Sequence, residues 1–197
     1  MTESDTKQKI LDAARECLLT EGYAAISTRK VADGAGVPLS QIHYHLGTKE
    51  ELILNVLRAE NDRLLERQAD MFSQDLPLAD RWLIACDYLD ADIESGYVRI
   101  LGEMIAAGWS SNMVGDEVRQ MLNGWTSVLT DVARRAEADG AHLGGLAVEE
   151  VAALVSAVFL GAESLMLSGH DGETVPIRAA LRSLGRLLAN VDYRASA

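Results

Sequence analysis

The stretch that most constrains this 197-residue chain is Val151 to Ala162 (VAALVSAVFLGA), twelve consecutive positions without a charged side chain. Read as a helix it is apolar all round, and a helix with no polar face has to be covered on every side. The rest of the chain offers only helices for that purpose. Apolar residues recur at three- and four-residue spacing almost from end to end, and no strand-like alternation, internal repeat or low-complexity segment interrupts them. The expected fold is all-α, with about nine helices. The run stops at Glu163, short of the roughly 18 to 20 apolar residues that span a bilayer, so no transmembrane helix is expected.

The first helix is expected over Thr6 to Thr20, capped by Asp5, striped by Ile10, Leu11, Ala13, Ala14, Cys17 and Leu18, and ended by Gly22. A short second helix follows Ser27 and closes at Gly36. A third has Pro38 in its first turn, Ile42 and Leu46 inward, and Gly47 as its stop. Thr48, just ahead of Glu50 and Glu51, caps a long fourth helix reaching about Phe72. Beyond Pro77 come a fifth helix (Trp82, Cys86, Leu89, Ile93), a sixth (Val98, Leu101, Ile105, Trp109) and a seventh. The seventh carries Val114, Val118, Met121, Leu122, Trp125, Val128, Leu129 and Val132, and ends before the Gly140 to Gly145 loop. The apolar run makes the eighth, and Ile177, Leu181, Leu184, Leu188 and Val191 stripe the ninth.

Charge is unevenly spread. Residues 1–50 carry six basic side chains against seven acidic ones, whereas the remaining 147 carry twelve against twenty-three, and all four lysines fall in the first 49 positions. A net charge of −12 counts against nucleic acid on average, yet a near-neutral N-terminal module on an acidic body can touch DNA locally. Residues 1 to 9 lack the apolar segment of a secretory signal, so a cytoplasmic location is expected. Cys17 and Cys86 lie far apart in apolar contexts and read as reduced core residues.

Two short helices joined by a tight Gly36-Val37 turn, held by a first helix, form the arrangement that lays its second member in a major groove. The residues sharpen that reading. The stretch from Ile10 to Leu52, ILDAARECLLTEGYAAISTRKVADGAGVPLSQIHYHLGTKEEL, resembles the DNA-binding region of the TetR family of transcriptional regulators. The resemblance covers about the first 55 residues, and the acidic helical remainder has the size of that family's ligand-binding and dimerisation part. It implies a helix-turn-helix domain over 1–50 and a ligand-binding and dimerisation domain over 51–197, linked by the helix from Thr48.

The resemblance implies phosphate contacts from Ser27, Thr28 and Arg29, at a helix N-terminus suited to anions. Leu39, Ser40, Gln41, His43, Tyr44 and His45 fall on the recognition helix, where Gln41 can pair with adenine and Leu39 can touch a thymine methyl. Lys49 matches the family's phosphate-contacting lysine. His43 and Leu46 stand where the family usually has tyrosine and phenylalanine, and Pro38 where it often has serine. His43 and His45, two apart on a helix, point roughly 200° apart and cannot share a metal ion.

In the acidic part, Trp82, Trp109 and Trp125 lie on core-facing stripes with Cys86, Leu89, Ile105 and Met121, which suits a mainly apolar effector pocket and equally a filled core. Glu163 interrupts the eighth helix and needs a partner if buried. These eight are the candidate ligand residues. The eighth and ninth helices are the expected homodimer interface, with Val155 and Phe159 as positions to test. No catalytic motif, metal cluster or cofactor loop is present, so no enzyme, metal or cofactor is expected. The function read from the chain is a transcriptional repressor, released from a near-palindromic double-stranded operator by a small apolar effector. The alternative is a helical ligand carrier or protein-interaction module without DNA binding.

Overall fold

The computed structural model describes residues 3–195. Among them the chain forms nine helices and no strand: α1 (Glu3–Glu21), α2 (Thr28–Ala35), α3 (Leu39–Leu46), α4 (Lys49–Ser73), α5 (Leu78–Ser95), α6 (Tyr97–Gly108), α7 (Asn112–Ala138), α8 (Val148–Leu167) and α9 (Ile177–Ala195). They divide into two compact units, Met1–Arg63 with Glu94–Met121, and Leu64–Ile93 with Leu122–Ala197. Helices α4 and α7 contribute residues to both, so the compact units follow a different division from the one expected at residue 50.

In the first unit, α1 buries Ile10, Ala14 and Leu18, one stripe at four-residue spacing. The helix already runs at Glu3, so Asp5 lies inside it and is not its cap. Cys17 is only half-buried on the flank of that stripe, whereas Cys86 in the second unit is buried as expected; both thiols are free. α6 joins the N-terminal helices through polar contacts. Arg99 donates to the Leu19 carbonyl at 2.6 Å, and Glu103 accepts the Tyr23 N–H at 2.7 Å. The α6 stripe ends early. The helix stops at Gly108, whose Cα region packs so closely on Gly115 that an added Cβ would come within 2.9 Å of the Gly115 Cα. The chain turns there, and Trp109, at the helix cap, is 82% exposed and not core-facing as its periodicity suggests.

The second unit has a core of Met71, Phe72, Ala85, Cys86, Leu89, Leu129, Ala152, Phe159 and Leu181 among others. Phe159 meets Trp82 and Trp125 edge-on, with ring centroids at 5.3 and 6.1 Å. Arg178 and Arg182 of α9 bind Asp90 of α5 at 2.6 and 2.9 Å. Val191 lies outside the residues whose side chains are described.

α8 departs most from expectation. It is twenty residues long, three longer at its start and five at its end than the apolar run, and its hydropathy of 1.7 makes it long and apolar enough to cross a membrane on length and composition alone. It is not covered on every side within the chain. Ala152, Ser156, Phe159, Ala162 and Met166 are buried, while Leu154, Val158, Leu165 and Leu167 are exposed. Phe159 is buried and Val155 is half-buried in the cavity wall, so neither belongs to the exposed row.

Candidate nucleic-acid interface and effector cavity

The α2–α3 hairpin is set by its caps. The Ser27 hydroxyl accepts the Lys30 N–H at 3.2 Å and starts α2. Gly36 ends it at φ 65° and ψ 36°, which lets Val37 donate back to the Ala32 carbonyl at 3.0 Å. A side chain in this left-handed conformation would cost about 1–2 kcal/mol, so glycine is what permits so short a turn. Pro38 then occupies the cap position of α3, one residue before the first turn, and supplies no side-chain cap. Thr48 and Glu51 close the far side reciprocally: Thr48 N–H donates to the Glu51 carboxylate at 2.8 Å and Glu51 N–H to the Thr48 hydroxyl at 3.2 Å. The Thr48 N–H, with its hydroxyl, holds the Glu51 carboxyl below its usual range.

With Ile42 and Leu46 buried, α3 turns Leu39, Ser40, His43 and Tyr44 outward, Tyr44 at 72% exposure. Gln41 and His45, four apart, sit half-buried on its flank as a pair, His45 Nε2 lying 3.1 Å from Gln41 Oε1. A carboxamide oxygen only accepts, so the ring donates, and the Gln41 NH2 group is not used in this contact. His43 Nδ1 lies 3.1 Å from the Gly47 carbonyl and donates to it. Its outer nitrogen can therefore donate to a phosphate only from the doubly protonated ring.

The basic residues around this face are distinguished by their partners. Arg15 pairs with Glu60 at 2.7 Å, Lys30 with Glu21 and Arg58 with Glu117. Arg29, exposed at the start of α2, meets no carboxylate among the described residues, and Lys49 lies 5.0 Å over the Tyr23 ring. Thr28 is half-buried beside them. The ten residues expected to face DNA thus lie on α3 or on the helix starts flanking it, all in the first unit. Tyr23, which seats Lys49, was not singled out by sequence.

The eight candidate ligand residues do not come together. A cavity of about 320 Å³ lies wholly in the second unit, and of the eight only Trp82 and Trp125 line it. Cys86 and Leu89 are core beside it, with burial pushing the Cys86 thiol up to about 11. Ile105, Trp109 and Met121 belong to the first unit. Glu163 is also absent from the wall; burial, and then Asp92, push its carboxyl up to about 7. Sequence reasoning missed Phe72, Arg81, His142 and Leu143 in the wall. Arg81 adjoins the flagged Trp82, but no periodicity argument selects a charged neighbour.

Fold and face together define an all-helical protein with an N-terminal helix-turn-helix. Residues 10–56 match the family described as Bacterial regulatory proteins, tetR family. The HTH-type transcriptional repressor AcnR of Corynebacterium efficiens is 32% identical over 62 residues, 32% of this chain and 33% of its own. The HTH-type transcriptional repressor KstR2 of Mycobacterium tuberculosis is 32% identical over 63 residues, 32% of each chain. The similarity therefore spans about a third of the length of these curated relatives. A TetR transcription regulator from Haloarcula marismortui superposes with a TM-score of 0.77 over 95% of this chain and 97% of its own at 20% identity, which shows a TetR fold throughout.

Proposed function

We propose that this protein is a ligand-responsive DNA-binding transcriptional regulator, a repressor released from a near-palindromic operator by a small, largely apolar effector. The observation that carries the reading is the outward face of α3, flanked by Arg29 and Lys49, which meet no carboxylate among the described residues, inside the segment that matches the TetR family. Residues 1–50 supply the DNA contacts and 51–197 the effector cavity and dimerisation; the protein works in the cytoplasm as a regulator and not as an enzyme.

Two copies are needed to read a near-palindrome, with recognition helices about 34 Å apart for adjacent major grooves. The exposed row Leu154, Val158 and Leu165 on α8, with Leu187 exposed on α9, supports dimerisation through these helices. The cavity supports the effector: it is apolar, and its volume sits at the low end of the roughly 300–1,000 Å³ of small-molecule sites. A gel-shift titration with the DNA flanking the protein's own gene, against random DNA of equal length, tests the reading. A specific shift that weakens steeply with salt is expected. Equal affinity for both DNAs, or none for either, would overturn it.

A further inference from the structure

We propose that the effector cavity is built for an amphiphilic anion, an apolar body closed at one end by a carboxylate that docks on Arg81. This rests on the effector reading above and names the chemistry of that ligand. Most of the wall is apolar, including Phe72, Trp125, Leu129 and Phe159. Trp82 contributes its ring, since its indole N–H is already donated to the Leu181 carbonyl at 2.7 Å. Among the described residues no acidic side chain lines the cavity, and Arg81 is the one fixed charge.

Arg81 is also incompletely satisfied. Its Nε is buried without a hydrogen-bond partner, and its NH1 reaches only the Phe72 carbonyl, at 3.4 Å. A buried donor left unpaired is unfavourable, and Arg81, which also lines the cavity, carries a guanidinium whose fork of donors matches a carboxylate. His142, which also lines the cavity, accepts the Gly144 N–H on Nδ1 at 3.0 Å, which leaves Nε2 as a second donor. A cationic amphiphile would place like charge against Arg81 in a poorly screened site. A neutral one would fill the space but match the fork poorly. The volume admits one small molecule.

Calorimetric titration with decanoate, 1-decanol and decylammonium, equal in chain length and differing in head group, tests the assignment on the full-length protein. Decanoate should bind about tenfold or more tighter than decanol, with decylammonium weakest. Arg81→Met should bring decanoate down to the level of decanol while leaving decanol itself unchanged, which also shows that the variant is folded; Arg81→Lys should retain part of the preference. Equal affinities for decanoate and decanol, tighter binding of decylammonium, or an Arg81→Met protein that still prefers decanoate would overturn the anion assignment while leaving the effector reading in place. No binding of any probe, by heat at two temperatures and by quenching of Trp82 and Trp125, would overturn both. The operator shift, measured without ligand, is independent of all these outcomes.

Discussion

On the proposed reading, Gln41, His45 and Lys49 should have separable roles because they meet different chemistry. Lys49 meets no carboxylate among the described residues, so Lys49→Ala should weaken binding to all DNA sequences alike and flatten the salt dependence by about one unit of slope in a log-log titration. Gln41 has its oxygen held by His45, so Gln41→Ala and His45→Ala should relax preference at the same base pair, Gln41→Ala by about 1–3 kcal/mol. A panel of single-base operator variants reads this, and losses at different positions would break the pairing. Glu163 is the titration to follow in the second unit. Its carboxyl, pushed up to about 7 by burial and Asp92, holds a proton more tightly in the folded chain than in the unfolded one. Folded protein thus binds the extra proton between about 4.5 and 7, and stability falls as pH rises through that window. Glu163→Gln should raise the melting temperature at pH 8 and leave it nearly unchanged at pH 4; equal shifts at both would contradict the assignment.

At the scale of elements, α8 divides its sides cleanly, which makes the proposed interface testable. Leu154→Glu or Val158→Glu should give a monomer at micromolar concentration by sedimentation, with an unchanged far-UV dichroism spectrum. Phe159→Ala should instead lower unfolding stability by about 3–5 kcal/mol through a core cavity next to Trp82 and Trp125. A dimer that survives both α8 charges would place the contact elsewhere. The helices were legible in the sequence because each buries a stripe, as Ile10, Ala14 and Leu18 do, and because Ser27, Gly36, Gly47 and Thr48 mark their ends chemically. The residues expected to face DNA could be placed together because they lie on consecutive short elements with a recognisable order. The cavity was not. Its wall draws on helices remote in sequence, and a stripe such as that of Trp82 and Trp125 looks the same over a void as over a filled core. Trp109 was misplaced because its periodicity runs one residue past the point where Gly108 and Gly115 force the chain to turn.

For the molecule as a whole, regulation requires that the effector and the operator oppose each other by the same free energy. If saturating effector weakens operator binding by about 5- to 150-fold, a coupling of about 1–3 kcal/mol, then operator DNA must weaken effector binding by that same factor. Titrating the ligand into free and DNA-bound protein checks this, and a ligand that binds both forms equally cannot be the inducer. Helices α4 and α7, which supply residues to both compact units, raise the question of whether those units unfold as one body. The placement of the tryptophans answers it optically. Trp109, in the first unit, stands in water, whereas Trp82 and Trp125, in the second, are partly enclosed. Emission at the red edge, removable by iodide, belongs to one unit and the blue edge to the other. A melt followed at both wavelengths on the unlabelled protein therefore shows two curves where the units part company and one where they do not.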